Sequence, residues 1–214
     1  EDFKNLLDEQ YGIMEIKLQG MGEPLLNAPD YFRMIEYARA KDIWVRSTVN
    51  GSLLHLKENY NKLIDSDICE LQISIDGATK ESFEEIRRGG NFERVKDNSI
   101  LINNYARTMG KMRTRMWVVL QDRNFEDLTS FPALASELGF NRLTISLDLN
   151  DWGQDSWRER NDPVDVHNNF NVQTAQKLIK SSKKLGVETT YWFIDEKYEP
   201  GNNDKLCPWP FSRA

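Results

Sequence analysis

Cysteine and histidine are scarce in this chain, which contains two of each among 214 residues. Cys69 and Cys207 are too few for a disulfide framework, and such sparse cysteine is typical of a reducing compartment, so a cytoplasmic location is expected. His55 and His167 lie far apart in the sequence. The composition therefore argues against a zinc or iron–sulfur site built from this chain alone.

The chain also lacks long apolar runs and an excess of positive charge. No segment approaches the roughly 20 apolar residues needed to span a membrane, and the acidic, amphipathic first residues are unlike a secretion signal. The net charge of −6 and the pI of about 5.1 argue against a general nucleic-acid-binding surface. With 39% hydrophobic residues and no low-complexity linker, one sizeable core is expected.

Strands and helices alternate along the predicted fold. Apolar residues with a period of two predict strands at 13–19, 43–49, 70–76, 112–120, 142–149 and 187–194. Amphipathic spacing predicts helices at 2–10, 30–40, 53–64, 79–87, 92–105, 125–138 and 172–185. Such alternation indicates right-handed βαβ units and a parallel sheet. The predicted fold class is α/β, a partial (β/α)6 TIM-like barrel with parallel strands, in which the strand at 187–194 lies at the edge or leads to a further domain.

Two of these strands have one apolar and one polar face. Leu71, Ile73 and Ile75 alternate with Gln72, Ser74 and Asp76, and the strand at 142–149 follows the same pattern. Successive side chains of a strand point to opposite faces, so the apolar set should meet the helices. Polar groups on the inner face are costly unless they bind one another, water or a ligand. The pattern favours a polar, ligand-binding interior over a set of wetted edge strands.

The turn Gly20–Pro24 ends the strand at 13–19. Glycine permits a positive φ and lets a ligand approach the main chain, and proline fixes the exit from the turn. Glu23 then places a carboxylate at the carboxyl end of a strand, where α/β proteins build their sites. A tight turn with a solvated glutamate is the alternative.

Five short segments resemble those of one enzyme family, the radical S-adenosylmethionine (SAM) enzymes. GMGEPLLN at 20–27 resembles the GGEP motif that holds the amino group of SAM. STVNG at 47–51 and ISIDG at 73–77 are similar to the ends of the next two strands, and RGGNF at 88–92 is similar to the RxGxF stretch that follows. CPWPF at 207–211 resembles the start of the cysteine-rich SPASM extension.

The resemblance implies a role for each matching residue. Gly22 and Glu23 would fix the amino end of SAM, and Ser74 with Arg88, or with Arg87 as the alternative, would bind its carboxylate. Asn50 and Asp76 are candidates for ribose contacts, and the apolar segments 118–120 and 145–147 would flank the adenine. The predicted SAM-binding residues are Gly20, Gly22, Glu23, Thr48, Asn50, Ser74, Asp76, Arg88, Val119 and Leu147.

The sequence departs from the family at its defining motif. CxxxCxxC, whose thiolates hold a 4Fe-4S cluster, is absent, so the cluster ligands are expected outside this chain. The opening helix has no strand before it, and the expectation is a chain truncated at both ends, with the first strand of the barrel missing. The expected domains are the radical SAM partial barrel, 1–194, and a linker with the start of a SPASM-like extension, 195–214, where Cys207 would bind an auxiliary iron–sulfur cluster.

The resemblance implies an enzyme whose cluster, supplied by an electron donor, cleaves SAM to a 5′-deoxyadenosyl radical. That radical would take hydrogen from a peptide or small-molecule substrate. Asp148 is the candidate for removing a proton from the oxidised substrate, although a structural aspartate bound to arginine is an equal reading. An RNA-modifying radical SAM enzyme and a non-catalytic (β/α) binding domain remain as alternatives.

Overall fold

The computed structural model describes residues 1–20, 22–147, 149 and 155–192. The strands are β1 (Glu15–Leu18), β2 (Trp44–Val49), β3 (Glu70–Ser74), β4 (Thr114–Val119), β5 (Arg142–Ser146) and β6 (Glu188–Trp192). The α-helices are α1 (Asp2–Glu9), α2 (Ala28–Arg39), α3 (Asn59–Asp65), α4 (Lys80–Ile86), α5 (Phe92–Thr108), α6 (Phe131–Glu137), α7 (Asp155–Asn161) and α8 (Val172–Lys184). Within these ranges, every helix is too short or too polar to cross a membrane.

The six strands form one parallel sheet in which chain order is also spatial order. Each connection moves one strand further in the same direction, and right-handed crossovers therefore put the helices on one face of the sheet. The other face becomes the inside of a curved, open sheet. This confirms the predicted α/β fold with parallel strands, and β6 is the added strand at its edge.

The predicted alternation of apolar and polar faces is confirmed. Leu71 and Ile73 on β3, with Met116 on β4 and Leu143 on β5, are fully buried against the helices. At about 25 cal/mol per Å² of apolar surface, this layer provides the main stabilising term. The sheet therefore turns its polar set, by parity, towards the inner face.

Polar side chains on the inner face bind one another across the strands. The Thr48 hydroxyl donates to Gln72 Oε1 at 2.9 Å, and Gln72 Nε2 donates to Glu70 Oε1 at 3.0 Å. Glu70 also pairs with Arg115 and Arg142, at 3.2 Å in each case. Buried polar groups are tolerated where such partners satisfy them, so this network closes the amino-terminal half of the interior.

Two predicted helices begin later than their apolar spacing indicated. The helix predicted at 53–64 starts only at Asn59, because Lys57 and Glu58 adopt left-handed backbone angles, with φ of 49° and 57°. The helix predicted at 125–138 starts at Phe131, since Pro132 lies in the first turn, the one place where a missing N–H costs nothing.

One α-helix was not predicted at all. α7 lies in what the sequence presented as a polar loop, and its side chains at 155–160 are exposed. An exposed helix has no apolar stripe, so hydrophobic periodicity gave no signal for it.

Candidate functional site

The turn after β1 is tied to the end of β2 by the Glu23 carboxylate. Glu23 Oε2 accepts a hydrogen bond from the backbone N–H of Asn50 at 2.8 Å, and Oε1 accepts from the N–H of Leu25 at 3.3 Å. Gly22 has a φ of 143°, which a side chain would disfavour, and a Cβ at Gly20 or Gly22 would meet no atom within 4 Å. The turn therefore faces open space beside a fixed carboxylate.

The environment of Glu23 raises the pKa of its carboxyl group above the ordinary value of 4.5. Burial is the largest cause, because it disfavours the charged form. The hydrogen bonds from Asn50 and Leu25 and the charge of Arg87 act in the opposite direction. A partly buried carboxylate of this kind gains from a cationic partner.

The ends of β2 and β3 present further polar groups. Asn50 Oδ1 accepts from the backbone N–H and the hydroxyl of Ser52, at 2.9 and 2.6 Å, which leaves its amide nitrogen as a donor. Ser74 is 7% exposed and lies on the same face as Gln72. Its hydroxyl has no hydrogen bond to another residue in the described ranges, so both Asn50 and Ser74 can bind a ligand. Thr48 is instead engaged by Gln72.

The carboxylate of Asp76 joins two parts of the site. Its Oδ1 accepts from the backbone N–H of Val119 at 2.8 Å, and its Oδ2 lies 2.5 Å from Nη2 of Arg87. Asp76 is 4% exposed. Both of its oxygens therefore have protein partners, which fits a group that holds the site together better than one that contacts ribose.

A cleft of 580 Å³ opens beside Asp76, and we call it the Arg87 cleft. It is lined by Asn50, Ser52, Leu53, Asp76, Phe83, Ile86, Arg87, Arg88, Gly89, Gly90, Asn91, Arg94 and Val95. Three arginines against one paired carboxylate give the cleft a positive balance, which suits an anionic group. Arg87 is the arginine that turns inward to Asp76, whereas the side chain of Arg88 is exposed at the rim.

The two predicted adenine contacts lie on opposite faces of the sheet. Val119 is half-buried at the end of β4, on the inner face with Arg115 and Trp117. Leu147 is 1% exposed and belongs to the core beneath the helices, so strand parity turns it away from the interior. The predicted base Asp148 and the predicted cluster ligand Cys207 lie outside the described residues.

Thus the predicted residues lie at one edge of the sheet in two linked groups: Asn50, Asp76 and Arg88 line the Arg87 cleft, and Gly20, Gly22 and Glu23 line the pocket beside the turn after β1. The Glu23–Asn50 hydrogen bond joins the two groups, and Ser74 lies at the end of β3 next to them. Sequence reasoning missed Asn124, which is 1% exposed and binds the main chain of both Asp76 and Val119. A lone asparagine in a polar loop gives no local signal. Arg94 was also missed, although its position in the first turn of α5, after the glycine pair, could have indicated it.

Comparison with known families matches more than half of the chain to one family. A family model described as the radical SAM superfamily matches residues 1–131. Mycofactocin maturase MftC of Mycobacterium tuberculosis is 29% identical over 193 residues, which are 89% of this chain and 46% of that protein. A protein of Methanococcus maripaludis named "Probable GTP 3',8-cyclase" is 38% identical over 90 residues, 41% of this chain and 28% of that protein. The chain thus spans less than half the length of these relatives.

Solved structures share the fold. Coproporphyrinogen III oxidase of Escherichia coli, whose title calls it a radical SAM enzyme, has a TM-score of 0.56 at 16% identity, over 81% of this chain and 41% of that one. The enzyme anSMEcpe, solved with AdoMet and a Cp18Cys peptide, has a TM-score of 0.52 at 22% identity, over 67% and 40% of the two chains. At these identities the likeness concerns the fold alone.

Proposed function

The chain belongs to the radical SAM superfamily, and on that premise we propose that its Arg87 cleft binds SAM in an enzyme acting on a peptide or a small molecule. The observation that carries the proposal is the position of Glu23, Asn50 and Ser74 after or at the carboxyl ends of three adjacent strands, with Arg87 brought beside them by its ion pair with Asp76. Enzymes of this superfamily use SAM and a 4Fe-4S cluster.

The residues present fit SAM at each polar end. The partly buried Glu23 carboxylate, next to the open turn at Gly20 and Gly22, suits the cationic amino group. Arg87, with Arg88 at the rim, supplies charge-assisted donors for the carboxylate. The hydroxyl of Ser74, which has no hydrogen-bond partner among the described residues, and the amide nitrogen of Asn50 are donors for the remaining oxygens, which include those of the ribose.

When bound, SAM would supply the hydrogen-abstracting chemistry of radical SAM enzymes, for which the cluster provides one electron. The residues of this chain bind and orient the cofactor. Arg87 would act from within the cleft, and Glu23 from the adjoining pocket after β1, which the Glu23–Asn50 hydrogen bond joins to the cleft. The hydrogen-bonded side chains of the inner face below Thr48 would keep water out of that part of the sheet.

The iron–sulfur cluster does not fit the residues of this chain. No group of three metal-binding side chains occurs in the described ranges, and the sequence has only two cysteines. The chain on its own, treated anaerobically with iron and sulfide, is therefore expected to show no stable 4Fe-4S absorption, because a cluster needs a set of thiolates. A stable cluster on this chain alone would contradict the assignment of its ligands elsewhere.

Two observations bear on the substrate class. The relative named a maturase favours modification of a peptide, and the acidic balance disfavours RNA. Asp148 as a proton acceptor, Cys207 as an auxiliary-cluster ligand, an electron donor as partner and a domain boundary near residue 194 belong to the same proposal.

The Arg87→Ala variant tests the cofactor assignment. We expect it to weaken SAM binding by roughly tenfold to a hundredfold, the loss of a hydrogen bond to a charged group. The measurement is equilibrium dialysis of the anaerobic protein that contains this chain, with its cluster in place. Arg88→Ala should have a smaller effect, because Arg88 is exposed.

Arg107→Ala provides the matched control. Arg107 is an exposed arginine near the end of α5, at the opposite end of the sheet, and its loss should leave SAM binding unchanged. Equal affinities for the Arg87 and Arg107 variants would overturn the assignment of the cleft.

A further inference from the structure

The loop after β4 is hydrogen-bonded to the turn after β3. Asn124 Nδ2 donates to the carbonyl oxygens of Asp76 and Val119, at 2.8 and 2.9 Å, and its Oδ1 accepts from the N–H of Gln121 at 2.8 Å. The side chain is 1% exposed, so these partners replace water completely. One buried amide thus joins the carboxyl ends of two neighbouring strands.

Asp127 makes a second link between the same loops. Its Oδ2 accepts from the N–H of Ala78 at 2.8 Å and from the hydroxyl of Ser82 in the first turn of α4. Gly77 lies between Asp76 and Ala78, the two residues whose main chains are hydrogen-bonded to this loop. It packs directly against α4, where an added Cβ would be 2.2 Å from the N of Phe83. The turn after β3 is therefore hydrogen-bonded to the loop after β4 on one side and packed against α4 on the other.

The turn after β3 contains Asp76, the residue that orients Arg87. Asn124 fixes the main chain of Asp76, and the Asp76 carboxylate holds both the N–H of Val119 and the guanidinium of Arg87. A displacement of the Asp76 main chain would consequently move the cationic group of the cleft. Neither Asn124 nor Asp127 lines the cleft itself.

We propose that Asn124 and Asp127 are positioning residues, which act through Asp76 to hold Arg87 where the carboxylate of SAM binds. This inference rests on the proposed function and goes beyond it, because it assigns carboxylate recognition to a loop that does not touch the cofactor. It also gives Asp76 a bridging role in place of a ribose contact.

The test compares the affinities for SAM and for decarboxylated SAM, which lacks only the carboxylate. The ratio of the two affinities measures what the carboxylate of SAM contributes to binding, and Arg87 is the main group proposed to contact it. In the anaerobic, cluster-containing protein, Asn124→Ala and Asp127→Leu should each lower that ratio by roughly threefold or more, as Arg87→Ala does to a larger extent. Asp127→Asn keeps an oxygen for the N–H of Ala78 and should restore most of the ratio.

Asn103→Ala is the matched control for lost stability. Asn103 is another fully buried asparagine, whose amide donates to the carbonyl of Leu138 at 2.8 Å, away from the cleft. Its loss should lower the melting temperature while the affinity ratio stays unchanged. If Asn124→Ala does not fold, the two Asp127 variants still test the proposal, because Asp127 is partly exposed.

Different results would overturn the proposed function and the positioning role of Asn124 and Asp127. Absence of SAM binding by the unmodified protein would overturn the proposed function, and the inference with it. Normal SAM binding, a lowered ratio in Arg87→Ala and an unchanged ratio in the Asn124 and Asp127 variants would overturn the inference alone.

Discussion

Replacement of Glu70 by alanine is expected to lower the free energy of unfolding by about 3–5 kcal/mol, the range for removing one partner of a buried charge cluster. The Glu70 side chain is 9% exposed and contacts both Arg115 and Arg142. Burial and the neighbouring charge of Arg115 already lower the pKa of Arg142. Without Glu70, the partly buried guanidinium groups of Arg115 and Arg142 would repel each other, with only the charge of Glu188 to offset the repulsion at Arg142.

Urea denaturation followed by circular dichroism would measure this loss. The control is Asp30→Ala, which removes an exposed carboxylate paired with Arg33, where the two side chains are 53% and 74% exposed. Exposed pairs contribute about 0–1 kcal/mol, so the control variant should unfold almost like the unmodified protein. Similar midpoints for the two variants would contradict a stabilising role for the inner network.

Replacement of Glu23 by glutamine is expected to cost about 2–5 kcal/mol of SAM-binding free energy, the range for truncating a buried charge pair. Glutamine keeps the shape but loses the charge, and only one of its two terminal atoms can accept from Leu25 or Asn50. Glu36→Gln makes the same change on the exposed face of α2 and should be silent. Titration calorimetry on both variants would check this, and a silent Glu23 variant would remove the carboxylate from the site.

The raised pKa of Glu23 adds a pH signature. Because protonation removes the charge that attracts the amino group of SAM, affinity should fall as the pH decreases, beginning above the ordinary value of 4.5. The effect on stability has the opposite direction. The folded protein binds the Glu23 proton more tightly than the unfolded chain, so this contribution to stability is lost as the pH rises from 4.5 through the raised pKa. The Glu23→Gln variant should lose both dependences.

The sequence by itself determined the fold class and the edge of the sheet at which the candidate site lies. The period-two pattern at Leu71, Ile73 and Ile75 is a local property, and it dictated which face meets the helices whatever the rest of the chain does. The glycines at 20 and 22 similarly indicated the turn. Glycine lets a ligand approach the main chain closely and permits a positive φ such as the 143° of Gly22. The order of strands followed from the connections between them.

Only the tertiary structure decided which side chains act together. Arg87 and Arg88 are adjacent and chemically identical, and Arg87 turns inward because α4 carries it back to Asp76. The helix start at Asn59 depends on left-handed backbone angles, and the start at Phe131 depends on a proline in the first turn. The spacing of apolar residues reveals neither. Asn124 reaches the turn after β3 from 48 residues away. Such partners are set by the packing of distant elements, since a hydrogen bond across two loops has no periodicity that a sequence could display.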